Sequence, residues 1–81
     1  MQKYIYMMEI EVVLSTGLSD EGTQTLRFPY EEGLTPAIIA ERINLSRDLV
    51  GMISVDGRVV EWTKVIQPNQ RVCFFPYLAG G

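Results

Sequence analysis

Apolar and polar positions alternate strictly near the amino end. Met8, Ile10, Val12 and Leu14 fall on one side, and Glu9, Glu11 and Val13 on the other. That period of two predicts a strand with one wet face. Tyr4 and Tyr6 share the inward parity, so the predicted strand can begin near Tyr4. Residues 15–22 (Ser-Thr-Gly-Leu-Ser-Asp-Glu-Gly) have the composition of a turn or loop. Alternation resumes over 23–30, with Leu26, Phe28 and Tyr30 opposed to Thr25, Arg27 and Pro29. Pro29 has no amide proton for a ladder, which assigns it to an edge or to the strand's end. The two strands read as a hairpin with a long connection.

The period then changes. Glu31-Glu32-Gly33 breaks the strand, and Thr35-Pro36 opens a helix, since threonine caps well and proline is preorganised for the first helical position. Ala37, Ile38, Ala40, Ile43 and Leu45 form an apolar side with Glu41 and Arg42 outward, and the helix is expected to end at Asn44 or Ser46 after about ten residues. Residues 46–50 suggest a further single turn, with Gly51 as a breaker. Asp56-Gly57, between the apolar stretches 52–55 and 58–61, is the strongest hairpin signal in the chain. Residues 62–66 read as irregular chain, 67–70 as a turn, and 71–75 as the last strand. Strand, strand, helix, strand, strand, strand predicts an α+β fold, a mixed sheet of four to five strands packed on one main helix. That arrangement is the β-grasp, the ubiquitin-like fold. Residues 1–75 are expected to form this domain and residues 76–81 a flexible tail ending in Gly-Gly.

The last ten residues, Val72-Cys73-Phe74-Phe75-Pro76-Tyr77-Leu78-Ala79-Gly80-Gly81, carry the chemistry. The apolar run suits a well-buried strand and stops at a proline. The glycine pair has no folding rationale, because glycine loses the most conformational freedom on ordering. What the pair offers is a backbone thin enough for a narrow slot, with a free carboxylate at the tip. The expectation is that the carboxylate of Gly81 is the working group and that the residues before it present it.

Composition narrows the alternatives. Eighty-one residues make one domain, and a chain this short has no room for an enclosed active-site cavity. A hydrophobic fraction of 47% with 21% charged residues describes an ordinary globule. A net charge of −3 disfavours nucleic acid and suits a basic partner surface. The apolar runs are too short to span a membrane, and the amino end is too short and too soon charged for a signal peptide. One cysteine excludes an internal disulfide and fits a cytoplasmic setting. There is no histidine, no Cys-x-x-Cys and no glycine-rich phosphate loop, which removes imidazole or thiolate metal sites, a Ser-His-Asp triad and P-loop chemistry. An independent enzyme is not expected.

Two segments resemble a known family. Val55-Asp56-Gly57-Arg58-Val59-Val60, where that family has a Val-Asn-Gly hairpin, and the last ten residues together make the chain similar to the MoaD/ThiS sulfur carriers over nearly its full length. Phe-Phe-Pro followed by Ala-Gly-Gly resembles the MoaD branch, and Trp62 after the hairpin the ThiS branch. Asn69-Gln70 departs from the Gly-Asp that commonly precedes the last strand, and the helix is short. The resemblance implies a carrier whose Gly81 carboxylate is adenylated by an E1-like adenylating enzyme of the MoeB/ThiF kind. The adenylate is exchanged for a thiocarboxylate, and the sulfur passes to an acceptor synthase subunit. That acceptor would be MoaE-like, in molybdopterin biosynthesis, or else the thiazole synthase of thiamine biosynthesis. The carrier would bind no cofactor, ATP being used by the partner, and Phe75, Pro76, Tyr77, Leu78, Ala79 and Gly80 would make the partner contacts.

Other assignments stay open. A ubiquitin-like modifier would use the same activation but end in an isopeptide bond, and a plain interaction module would leave Gly-Gly incidental. Cys73 reads as a small buried hydrophobe, with no basic neighbour placed to make it reactive. Phe74 and Phe75 point to opposite faces, so the outer one, with Tyr77 and Leu78, is expected to form a docking surface. Trp62 reads as a packing residue, and Asp20-Glu21 and Glu31-Glu32 as solvated loop acids.

Overall fold

Strand β1 (Glu9–Leu14) buries Ile10, Val12 and Leu14 and turns Glu9, Glu11 and Val13 to the other face, as the alternation predicts. It pairs antiparallel with β2 (Gln24–Pro29) in a register that sets Ile10 opposite Phe28 and Val12 opposite Leu26. Pro29 ends β2, which among the described residues pairs only with β1. The structure, a computed structural model, describes residues 8–19 and 21–77. The expected start of β1 near Tyr4 and the segment 78–81 lie outside the described residues.

Helix α1 (Pro36–Arg42) starts as the sequence indicates. Thr35 is the extended N-cap, its hydroxyl accepts the Ile38 N–H at 3.2 Å, and Pro36 occupies the first turn. The helix has seven residues, shorter than the expected ten. Asn44 takes a left-handed φ of 59°. The Asn44 N–H then reaches the Glu41 carbonyl (3.2 Å) and the Leu45 N–H the Ala40 carbonyl (2.8 Å). Those two bonds form a Schellman cap, which stops the helix before Ile43. The face pressed into the core is Pro36, Ile39 and Ala40, whereas Ala37, Ile38, Ile43 and Leu45 are only partly covered or exposed. Ile39, absent from the expected apolar side, is the helix's most buried residue.

After the 3-10 turn (Arg47–Leu49) come β3 (Val50–Val55), β4 (Arg58–Val59) and β5 (Arg71–Pro76). Asp56 and Gly57 both have positive φ, 49° and 85°, which closes the β3–β4 hairpin with a two-residue turn. β4 is two residues long rather than four. The sheet order is β2-β1-β5-β3-β4, with β5 parallel to β1 and the other pairs antiparallel. The result is an α+β fold, a mixed five-stranded sheet with one α-helix on its inner face. Ile39, Leu34 and Ile66 close the core over Ile10, Val12, Ile53, Val55, Val72 and Phe74. Ile66, in the irregular stretch, is fully buried, and its N–H is held by the Leu34 carbonyl at 2.8 Å. No helix among the described residues is long and apolar enough to cross a membrane.

Candidate interaction surface at the exit of the last strand

Strand β5 lies between β1 and β3, so its alternation decides what each sheet face shows at the centre. Val72 and Phe74 point inward and are fully buried. Trp62 packs on Phe74, with ring centroids 6.0 Å apart, and the Arg47 guanidinium sits 4.8 Å from the Trp62 ring. Trp62 is therefore a packing residue, as expected. Cys73 and Phe75 point outward and are half-buried. The expectation of a buried Cys73 is corrected: its parity puts it on the outer face, paired with Val13 on one side and Ser54 on the other.

The outer face has two unlike ends. Where β5 begins, Arg27 donates to Glu9 at 2.8 Å and Arg71 to Glu11 at 2.6 Å. The Glu11 carboxylate raises the Arg71 pKa further, chiefly through that hydrogen bond. The Asp56 carboxylate also accepts the Arg71 backbone N–H (2.9 Å) and the Gln70 amide (3.1 Å), tying the hairpin turn to the root of β5. Where β5 ends, the outward groups are Val13, Cys73, Phe75 and Met52, with Tyr77 beyond them. Met52 and Tyr77 are 42% and 63% exposed, so this end is an apolar strip open to water.

The chain leaves the sheet through a narrow passage. Pro76, expected to begin the tail, still pairs with Val50 as the last residue of β5. A bulge between Val50 and Met52 sets Gly51 against the outgoing backbone, and Gly17 faces the Pro76 ring from the opposite side. An open groove of about 450 Å³ runs past Ser15, Thr16, Met52, Phe75 and Tyr77. No known protein family, curated protein or solved structure matches this chain.

Phe75, Pro76 and Tyr77 are thus brought together at one end of the sheet, whereas Leu78, Ala79, Gly80 and Gly81 lie outside the described residues. Gly51, Met52 and Gly17 complete the exit; Gly51, expected as a breaker ahead of the strand, instead lies inside β3, where a bulge accommodates it. A signal for Gly51 existed, since a glycine inside an apolar strand pattern marks a close backbone approach. Glu31 and Arg42, read as a loop acid and an outward helix residue, form a two-pronged ion pair of 2.7 and 2.9 Å away from this surface. That hydrogen bonding lowers the Glu31 pKa and raises that of Arg42. No group of three acidic, histidine or cysteine side chains able to hold a metal ion occurs among the described residues.

Proposed function

We propose that this protein is a ubiquitin-like, β-grasp sulfur carrier of the MoaD/ThiS kind, working in the cytoplasm as the small subunit of a molybdopterin synthase. The observation that carries the reading is the delivery of the chain from β5 beside an exposed apolar strip. Only four residues separate Tyr77 from the end of Gly81. Extended, they reach roughly 13–14 Å, enough to enter a partner's slot while the strip is docked. The strand order with its central parallel pair is compatible with a β-grasp. Asn69 also softens one departure from the family pattern: its φ of 67° is the left-handed geometry that glycine would supply in that turn.

On this reading the globule is a handle and Gly81 is the reactant. A Gly81 carboxylate oxygen attacks the α-phosphorus of ATP in the E1-like enzyme, forming an acyl-adenylate and releasing pyrophosphate. Carboxylate oxygen is a poor leaving group, and AMP is a good one. A hydrosulfide ion supplied by the partner machinery then attacks the carbonyl carbon, the bond to the AMP oxygen breaks, and a thiocarboxylate remains whose sulfur the synthase consumes. The carrier contributes no catalytic side chain, and the absence of Cβ atoms at Gly80 and Gly81 lets the nucleotide crowd the carbonyl carbon. Gly81 must carry the free α-carboxylate in the working protein, and the intact mass of the protein isolated from its source checks this.

The test is ATP–pyrophosphate exchange catalysed by an E1-like adenylating enzyme of the same source. Addition of this chain should stimulate exchange, and a variant lacking Gly80-Gly81 should not. Equal exchange with both would defeat the proposal. Calorimetric titration against a molybdopterin-synthase large subunit and a thiazole synthase then assigns the acceptor. Binding only to the thiazole synthase would move the chain to the ThiS branch, which Trp62 resembles.

A further inference from the structure

Gly51 is crowded without being strained. It is not among the residues with positive φ, so backbone conformation is not what calls for glycine there. Space is. A Cβ at Gly51 would stand 2.9 Å from the Tyr77 Cα, 3.1 Å from the Pro76 carbonyl oxygen and 3.1 Å from the Tyr77 Cδ1. The two nearest of these atoms belong to the outgoing backbone, so no rotamer change relieves the clash. Across the exit, a Cβ at Gly17 would meet the Pro76 Cγ at 3.1 Å. Gly17 also has a φ of 106°, which side chains rarely adopt.

The two glycines therefore hold Pro76 and Tyr77 between β3 and the β1–β2 connection. Pro76 has a fixed φ and pushes Phe75 toward extended geometry, so the exit has little freedom of its own. We infer that Gly51, backed by Gly17, is a positioning residue that sets the direction in which the chain leaves β5. It thereby sets where the terminal carboxylate is delivered in the activating enzyme, an inference that rests on the sulfur-carrier reading. In Gly51→Ala the strand or the outgoing backbone must shift, because the nearest atom to the new Cβ is the Tyr77 Cα at 2.9 Å. That shift lies at the root of a four-residue reach, and a reacting group misplaced by about 1 Å can lose on the order of 100-fold in rate. Of the apolar strip, Val13, Cys73, Phe75 and Met52 are held in sheet register ahead of the exit, and Tyr77 lies beyond it.

The experiment compares the parent chain with Gly51→Ala in ATP–pyrophosphate exchange at varied carrier concentration, with thermal unfolding and the NMR signals of Tyr77 followed alongside. Expected are a kcat lower by about tenfold or more, a KM within about twofold of the parent, a full folded fraction at assay temperature and displaced Tyr77 signals. Full kcat with displaced Tyr77 signals overturns the inference, as does a kcat loss wholly matched by loss of folded protein. Pro76→Ala adds no atom to β3 and frees the exit, so it should also lower kcat by about tenfold or more, whatever its effect on KM. Full kcat in Pro76→Ala also overturns the inference, even where Gly51→Ala fails to fold. A parent chain that gives no exchange defeats the sulfur-carrier reading itself, and the inference with it. A parent that reacts beside an unaffected variant defeats the inference alone.

Discussion

The two ends of the outer sheet face are built on the same central strands, yet they treat water in opposite ways. At the root of β5, Glu9, Arg27, Glu11 and Arg71 pair their charges across β2, β1 and β5. Ion pairs this exposed contribute little to stability, and they keep that end hydrated. At the exit, Val13, Cys73, Phe75 and Met52 occupy the equivalent outward positions and no charge stands among them. Leaving such groups in water forfeits their burial energy, roughly 25 cal/mol for each Å² left uncovered. The fold does not need that end to be apolar, because the inner face already supplies a continuous core. The apolar end thus has no role in the core, which is the contrast the proposed docking surface rests on, and the charged end gives that surface a boundary.

The largest effect calibrates the contrast from the inside. Phe74 is fully buried and packed against the tilted Trp62 ring, so Phe74→Ala should cost about 3–5 kcal/mol in chemical denaturation. Its outward neighbour should behave differently. Phe75→Ala and Tyr77→Ala should cost on the order of 1 kcal/mol or less of stability. Each should weaken the complex with the synthase subunit by about 2 kcal/mol or more, read by titration calorimetry. Stability losses for Phe75→Ala as large as for Phe74→Ala would erase the distinction between inner and outer faces.

The smallest effect belongs to a charge pair remote from the exit. The Arg42 guanidinium holds the Glu31 carboxyl below its ordinary value of 4.5. A lowered folded-state pKa means that the pair's contribution is present above that ordinary value and is lost as pH falls through the folded one. Arg42→Gln should therefore be slightly less stable than the parent at neutral pH and equal to it in strong acid, with partner affinity unchanged. Urea titrations at the two pH values check this. An Arg42→Gln variant that weakens the synthase complex would extend the interaction surface beyond the strip.

Local signals in the sequence carried most of the architecture. The alternation of Glu9 to Leu14, the Thr35-Pro36 start and Asp56-Gly57 each state their geometry within a few residues, whereas Met8, expected inward, is exposed ahead of β1. Signals that depend on what lies alongside were silent. The length of α1 turned on Asn44 adopting a left-handed conformation, which asparagine permits but does not announce. Ile66 reads as loop until Leu34 is known to lie beside it. Cys73 looked interior because its neighbours are apolar, although it shares the parity of Phe75 and takes the outer face beside Val13 and Ser54. At the candidate site, parity alone separated Phe74 from Phe75. The crowding of Gly51 and Gly17 against Pro76 and Tyr77 required knowing that β3 and the β1–β2 connection flank the exit.

Whether the Gly81 carboxylate is converted to a thiocarboxylate is read by intact mass spectrometry. The chain and a variant lacking Gly80-Gly81 are incubated with an E1-like adenylating enzyme, ATP and a sulfur donor. Deletion of the glycines should leave thermal stability within about 0.5 kcal/mol of the parent, so the two samples differ only in chemistry. The account predicts a mass increase corresponding to exchange of one oxygen for sulfur in the parent and none in the variant. Adducts with other proteins in place of that exchange would identify a conjugating modifier, and an unchanged parent mass would contradict the account outright.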